Sequence, residues 1–288
     1  MTHIGMVYSR GRVEEKMLQE AAQRQGVQFT AVQDDTLILD LDPGALPFDA
    51  VLERSVSTTR GLYVLKFCGA HGIPAINRHA VAAACADKTE TSLKLRRAGV
   101  PTPRTKVAFE QESALAALDQ LGYPAVIKPT TGSWARMVAR VDSRREAEQI
   151  LEHRSELPNP VQQVYYLQEY VNKLGAAGEP TLHRDLRAFV VGDETIAAIW
   201  RNSPHWITNT ARGGKASVCP VTPELHDLCQ RAAAAVGGGV LALDLMETSA
   251  GLVCHEINHT MEFRNSVAPT GVDIPGKIIE YCVRQAKA

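Results

Sequence analysis

Asp244, Glu256 and Asn258 fall within Val240–Asn258, where two apolar, strand-like arms flank a Thr248-Ser249-Ala250-Gly251 turn. Folding the arms about Ala250 sets Asp244 opposite Glu256 to within a residue, and cross-strand partners sit ~5 Å apart. Like charges at that distance repel, so an apolar hairpin keeps such a pair most readily when a cation joins it. On this reading either carboxylate is removable with the fold intact, and stability could even rise. Period-2 alternation places Glu256 and Asn258 on one face of their arm and His255, Ile257 and His259 on the other. The shared face offers only oxygen ligands, a set suited to Mg²⁺ held together with phosphates.

The string His255-Glu256-Ile257-Asn258-His259 also matches H-E-x-x-H, which binds zinc only on a helix, where the histidines lie one turn apart. Its flanks, Gly251-Leu-Val-Cys and Thr260-Met-Glu-Phe, carry neither a helix-forming run nor a cap. On a strand the two histidines would be ~13 Å apart. A zinc hydrolase stands as the different-chemistry alternative, and a polar hairpin without metal as the plain one.

Further groups could handle phosphate. Lys128 sits near the end of Pro124-Ala-Val-Ile-Lys-Pro129, and Thr131-Gly-Ser-Trp-Ala follows, a small-residue loop able to approach an anion through backbone N–H groups. Alone, that pattern equally describes a surface lysine beside a turn. Asp87-Lys88 supplies a second lysine at a helix start, and Gln168-Glu169-Tyr170-Val171 closes a strand whose exposed backbone suits an adenine edge. Arg187 projects from Leu186–Val191, beyond Asp185, while Arg201 and Asn202 end the next strand. His205–Gly214 joins donors, an arginine and a glycine pair, as in anion-binding loops. Neither a Walker A sequence nor a G-x-G-x-x-G after the first strand occurs, so neither a P-loop nor a dinucleotide fold is supported.

The elements that must position these groups follow from the apolar pattern. Ile4–Tyr8, Val13–Gln25, Phe48–Leu52, Arg60–Ala70, Ile73–Ile76 and His79–Ala86 alternate strand and helix, which implies a parallel sheet with crossover helices. Thr105–Phe109, Tyr123–Pro129, Met137–Val141 and Val164–Val171, with helices at Gln111–Leu121 and Ser143–His153, form a compact α+β unit. Leu186–Val191 and Thr195–Trp200 flank a Gly192-Asp193 hairpin turn. A helix at Pro223–Ala235, the Asp244 hairpin and a terminal helix from Ile274 complete the chain. With 288 residues, two or three domains are expected. The net charge of −1 gives no reason to expect nucleic-acid or membrane affinity. No apolar run reaches membrane-spanning length, and no signal-peptide pattern opens the chain. The six cysteines form no C-x-x-C pair and read as reduced core residues of a cytoplasmic protein.

The order of lysine, lysine, small-residue loop, arginine, arginine loop and carboxylate hairpin resembles the ATP-grasp superfamily, in the branch of the ligases that add glutamate to ribosomal protein S6. Glu53-Arg-Ser-Val-Ser57, Gly132-Ser-Trp134, Asn202–Gly214, Glu256–Ser266 and Gly271-Val-Asp-Ile-Pro275 carry the likeness, which spans essentially the whole chain. Within that branch it is most similar to ligases joining α-aminoadipate to an amino-group carrier protein in lysine biosynthesis. Ala135 stands where a further glycine is expected, and Lys173–Arg184 is longer than usual.

The resemblance implies a three-domain fold of mixed α/β and α+β type: a pre-ATP-grasp domain over 1–88, a central unit over 89–171 and a C-terminal unit over 172–288. It implies ATP and Mg²⁺, as two ions replaceable by Mn²⁺. Lys88 and Lys128 would hold phosphates with Gly132, Ser133 and Trp134, and Glu169, Tyr170, Val171 and Asn202 would hold the rest of the nucleotide. Asp244, Glu256 and Asn258 would bind metal, while Arg187 and Arg212 would neutralise an acyl phosphate. Asn209, Thr210, Thr260, Phe263, Arg264 and Asn265 would form the amino-acid pocket, with Arg264 meeting the distal carboxylate. The partner would be a small acidic carrier protein, and the enzyme a dimer or tetramer. Rival readings are a glutamate–carrier ligase of arginine synthesis, an S6-type glutamate ligase and an inactive ATP-binding subunit.

Overall fold

The computed structural model describes residues 2–42, 46–132, 134–176, 179–210 and 213–288, with backbone only at 176 and 179–181. Three sheets organise them. The first is parallel and built from β1 (His3–Tyr8), β2 (Gln28–Gln33), β3 (Ala50–Arg54) and β4 (Ala75–Ile76) in the order β2-β1-β3-β4. Helices α1 (Val13–Arg24) and α2 (Thr58–Ala70) make its crossovers. Strand β2 is missing from the sequence expectation because it is a half-exposed edge strand with a polar residue at each end.

Helices α3 (His79–Ala86) and α4 (Lys88–Arg97) lead into the second unit. There β5 (Thr105–Ala108), β6 (Ala125–Pro129), β7 (Ala139–Val141) and β8 (Tyr165–Glu169) form an antiparallel sheet in the order β5-β8-β6-β7. Helices α5 (Gln111–Leu121) and α6 (Arg144–Ser155) cover it, packing Leu115, Leu118 and Leu151 against Ile127 and Leu167.

The third sheet comprises β9 (Gly175–Ala176), β10 (Glu179–Val191), β11 (Glu194–Ser203), β12 (Lys215–Val218), β13 (Val240–Thr248) and β14 (Gly251–Asn258), with α7 (Pro223–Val236) before the last hairpin. Its order is β12-β11-β10-β13-β14, with β9 paired to β10. Local chemistry sets the limits of α7: Thr222 accepts from the Leu225 N–H, Pro223 takes the first helical position and Gly237 ends the helix at φ 109°. Leu186, Ala188, Leu241 and Leu243 bury one face of this sheet against α7, together with Val81 of α3 and Leu95 of α4. The opposite face, through Phe189, Val240 and Ala242, shares a core with Ile4 and Leu52 of the first sheet and with Leu18 of α1.

The sheets fall inside the three expected segments, but the helices cross their boundaries. Helix α4 packs on α7 and β14 of the last unit more than on the central one, which it meets through Ser92 at Tyr166. After α8 (Arg264–Thr270), helix α9 (Ile274–Gln285) returns to α1 and β3. Asn77 ties the first unit to the last hairpin. Its amide oxygen accepts from Val240 N–H at 2.7 Å, and its Nδ2 donates to the carbonyls of Val240 and His259 at 2.8 Å each. Gly239 makes room for it, since a Cβ there would run into the Asn77 amide.

Candidate active site

The three units close on one cleft, and the hairpin forms its floor. Asp244 pairs with Glu256 and Thr248 with Gly251, but Leu245 pairs with Cys254, which leaves His255 as an extra residue in a β-bulge. The bulge breaks the expected alternation, so His255 lines the cleft beside Glu256 and Asn258 instead of taking the opposite face. Among the described residues neither ring nitrogen has a hydrogen-bond partner, and burial together with Lys128 pushes the imidazole down to about 4, so it is neutral at pH 7. The H-E-x-x-H string thus runs along a strand, where its zinc geometry fails. Among the described residues no group of three or more histidine, cysteine, aspartate or glutamate side chains is placed to hold a metal.

The carboxylates are not left to a cation alone. Arg187 Nε and Nη2 donate to the two oxygens of Asp244 at 2.7 and 2.8 Å. Arg201 pairs with both oxygens of Asp185 at 2.7 and 2.9 Å and reaches Asp244 at 3.1 Å. Lys88 lies 3.4 Å from Glu256. These groups share one face because Arg187 sits opposite Asp244 and Asp185 opposite Arg201 in the sheet register. Burial disfavours charge on Asp244, yet Arg187 and Arg201 hold its carboxyl well below the usual range. Glu256 is likewise lowered against its burial, chiefly by Lys88. The expectation that losing a carboxylate relieves repulsion is therefore corrected: Asp244 is the counter-ion of two guanidiniums. Asn258 Nδ2 donates to Asp244 at 3.4 Å, and the two facing carboxylates with the oxygen of this amide make up a hard donor set that fits a divalent cation.

The facing wall comes from the second unit. Lys128 is 9% exposed and donates to Gln168 at 2.7 Å, and burial pushes its ammonium down to about 8. Asp87 caps α4 by accepting from the N–H groups of Thr89 and Glu90 at 2.7 and 3.3 Å, so Lys88 is the first helical residue. Lys88 N–H donates to the Thr130 carbonyl and its ammonium to the Gly132 carbonyl, each at 2.9 Å. The loop they hold is backbone-strained: Gly132 has φ 122°, but Trp134, Ala135 and Met137 have φ 58°, 52° and 57° with side chains attached. Glu169, the last residue of β8, and Tyr170 and Val171 beyond it line the cleft, although the Glu169 carboxylate is taken by Arg104 at 2.7 Å and Arg140 stacks 4.3 Å over Tyr170. Lys173 donates to the Trp206 carbonyl at 3.0 Å, linking this wall to the segment carrying Thr208, Asn209 and Thr210.

Lys88, Lys128, Gly132, Trp134, Glu169, Tyr170, Val171, Arg187, Asn209, Thr210, Asp244, Glu256, Asn258 and Thr260 thus meet in one cleft. Ser133 and Arg212 lie outside the described residues. Asn202 does not join them: it turns to Ser217 at 3.3 Å, while its strand neighbour Arg201 enters the cleft. Phe263 is fully buried in the core under Arg54, and Arg264 and Asn265 open α8 on the exposed surface, off the cleft wall. Asp185, Arg201, Lys173, Arg12, His255 and Glu262 belong to the site but were not in the expected set. The period shared by Asp185, Arg187 and Arg201 carried a signal for two of them. Arg12, far along the chain in another unit, carried none.

Comparison with known proteins divides the chain in two. Residues 4–84 match the LysX preATP-grasp domain model and residues 85–282 the RimK-like ATP-grasp domain model. The α-aminoadipate–LysW ligase LysX of Saccharolobus solfataricus is 34% identical over 96% of this chain and 99% of its own length. The glutamate–LysW ligase ArgX of Sulfurisphaera tokodaii is 32% identical over 94% of each. A RimK-domain ATP-grasp protein of Sphaerobacter thermophilus superposes with a TM-score of 0.81 at 28% identity, covering 98% of this chain and 100% of that one.

Proposed function

The chain belongs to the RimK-like ATP-grasp family of carboxylate–amine ligases, and from that premise we propose that it joins α-aminoadipate to a small acidic amino-group carrier protein of the LysW kind, in lysine biosynthesis. The bond is an isopeptide between the acceptor's α-amino group and the side-chain carboxylate of the carrier's C-terminal glutamate. One observation carries the reading: a single cleft collects two lysines, a strained small-residue loop and an oxygen-donor trio beside an arginine.

In this reading a carrier carboxylate oxygen attacks the γ-phosphorus of ATP, and ADP leaves. The acceptor amine then attacks the acyl carbon, the carbon–oxygen bond to phosphate breaks and the amine's protons pass to solvent. Phosphoryl transfer asks the protein for positioning and charge neutralisation more than for covalent help. Lys88 and Lys128 hold phosphate oxygens, and the Glu169–Val171 backbone holds adenosine. Asp244, Glu256 and Asn258 would hold two Mg²⁺ ions, replaceable by Mn²⁺, which would neutralise the phosphates. Arg187, with Arg212, steadies the acyl phosphate. Asn209, Thr210 and Thr260 contribute to the acceptor pocket.

A glutamate ligase matches the chain almost as well as the α-aminoadipate ligase does, so glutamate as acceptor is the second reading. The two acceptors differ by one methylene, worth ~1–3 kcal/mol in a pocket, so a specificity-constant ratio of about tenfold in favour of α-aminoadipate is expected. The test measures ADP release with ATP, Mg²⁺, carrier and each amino acid, and the mass of the carrier afterwards. A gain of one glutamyl residue, with the ratio inverted, moves the chain to the second reading. ADP release that ignores the carrier sinks both.

A further inference from the structure

Arg12, just before α1, and Glu262, beyond the metal hairpin, face each other where the first unit closes the cleft. Arg12 Nη1 lies 3.6 Å from Glu262 Oε1, outside hydrogen-bonding distance and wider than Arg187–Asp244 at 2.7 Å, Arg201–Asp185 at 2.7 Å or Lys88–Glu256 at 3.4 Å. Both members are anchored from behind. Arg12 gives Nε and Nη2 to Glu15 at 3.1 and 2.8 Å, which leaves Nη1 turned toward Glu262. Glu262 accepts from the Trp134 indole N–H at 3.2 Å, so it sits against the loop whose Gly132 carbonyl holds Lys88. Their side chains are 20% and 37% exposed, so opening this loose pair costs little compared with opening a buried one.

An α-amino acid carries an ammonium and a carboxylate on one carbon, the charge inverse of an Arg–Glu pair. Asp244 and Glu256 are assigned to the metal and already face Arg187, Arg201 and Lys88, and Asp185 and Glu169 are paired with Arg201 and Arg104, which among the described residues leaves Glu262 as the cleft carboxylate for an incoming ammonium. We propose that Arg12 and Glu262 form a zwitterion clamp: the acceptor enters between them, its α-carboxylate on Arg12 and its α-ammonium on Glu262. This rests on the carboxylate–amine ligase reading and names what recognises the amine partner. It sets the nucleophilic nitrogen beside Trp134, next to the loop assigned to the phosphates. It also selects free α-amino acids over simple amines, whatever their side chain.

The test is calorimetric titration of the whole protein with Mg²⁺ and a non-hydrolysable ATP analogue, using α-aminoadipate, hexanedioate (the same skeleton without the amine) and 5-aminopentanoate (without the α-carboxylate). Glu262→Gln keeps an oxygen for the Trp134 indole and removes only the charge. It should cut the preference for α-aminoadipate over hexanedioate by about tenfold, the scale of a charge-assisted hydrogen bond. Arg12→Lys should cut the preference for α-aminoadipate over 5-aminopentanoate several-fold while keeping a cation in place. A merely structural defect weakens both ligands of a pair equally, so unchanged ratios overturn the clamp. If α-aminoadipate binds with ratios indifferent to Glu262, the clamp fails and the assigned substrate survives. If acidic amino acids do not bind but another α-amino acid does, with a Glu262-dependent ratio to its des-amino form, the assigned substrate fails and the clamp stands. No binding by any amino acid overturns both.

Discussion

On the β10–β13–β14 wall every buried charge meets an opposite one: Asp185 meets Arg201, and Asp244 meets Arg201 and Arg187. On the β6–β8 wall the buried Lys128 donates to the neutral amide of Gln168, and the adjoining loop holds three non-glycine residues at positive φ. The first wall is an over-determined lattice whose members cannot shift singly without leaving a charge desolvated. The second holds a cation at the cost of its own protonation and a loop at the cost of backbone strain, both of which an arriving polyanion can offset. One wall fixes the geometry of transfer, and the other stores the response to the nucleotide.

Removing Asp244 should break the contrast most severely. Asp244→Ala leaves Arg187 and Arg201 short of a counter-charge, and breaking a buried pair from one side costs about 3–5 kcal/mol. Urea unfolding should show that loss together with abolished ligation. A variant as stable as the parent would mean that repulsion between Asp244 and Glu256, not pairing, dominates the floor.

Lys128→Met probes the other wall and should behave oppositely. Its charge is desolvated and, among the described residues, makes no direct ion pair, so an apolar replacement of similar length should leave stability nearly unchanged. Turnover should nevertheless fall by about a hundredfold, the scale of removing one donor from a developing charge. If only the Michaelis constant for ATP rose, the lysine would bind ground state and transition state alike.

A gentler probe is pH. Burial lowers Lys128 to about 8, so at pH 8 the free protein carries roughly half a proton there, and bound phosphates restore the rest. Nucleotide binding near pH 8 should therefore take up ~0.5 proton, visible as a dependence of binding heat on buffer ionisation, and affinity should fall as pH rises past 8. The sign follows from the depressed value: below it the cation is already present and the dependence vanishes. Lys128→Met should abolish the uptake, whereas a paired lysine at its ordinary value would give none in the parent.

Ala135→Gly should have the smallest effect. At φ 52° alanine sits where its Cβ costs ~1–2 kcal/mol, partly offset by the extra freedom glycine brings to the unfolded chain. A net gain of about 0.5 kcal/mol in urea unfolding is expected. A loss would show that the alanine methyl earns its place through packing.

Several features were legible because their causes are local. Asp87 and Thr222 cap helices through groups two or three residues ahead, and Gly192-Asp193 joins strands that pair across it. Spacing read Asp244 as opposite Glu256 to within a residue; the turn at Ser249-Ala250 alone would set it opposite His255, and the bulge there supplies the last step. The family resemblance, not spacing, brought Lys88, Lys128 and the loop after β6 into the expected set. Spacing failed at His255, where an inserted bulge residue reverses the alternation, and at Asn202, where the neighbouring Arg201 took the inward place. Arg264 and Phe263 failed differently, since nothing in a run of turn residues says which will be covered by α1 and α9.

Most elements and the hairpin itself were readable in the chain, because hydrogen-bond caps, turns and a period of two act over a few residues, and the resemblance supplied the kind of chemistry. Which charge compensates which was settled by long-range packing. Arg187 finds Asp244 across 57 residues because β10 lies beside β13, and that strand order is set by burying both faces of the sheet at once. Arg12 comes to Glu262 because α9 folds back onto α1 and β3 and Asn77 fastens the hairpin to the first unit. Such contacts arise from apolar burial summed over the whole core, which fixes the charged partners only as a consequence.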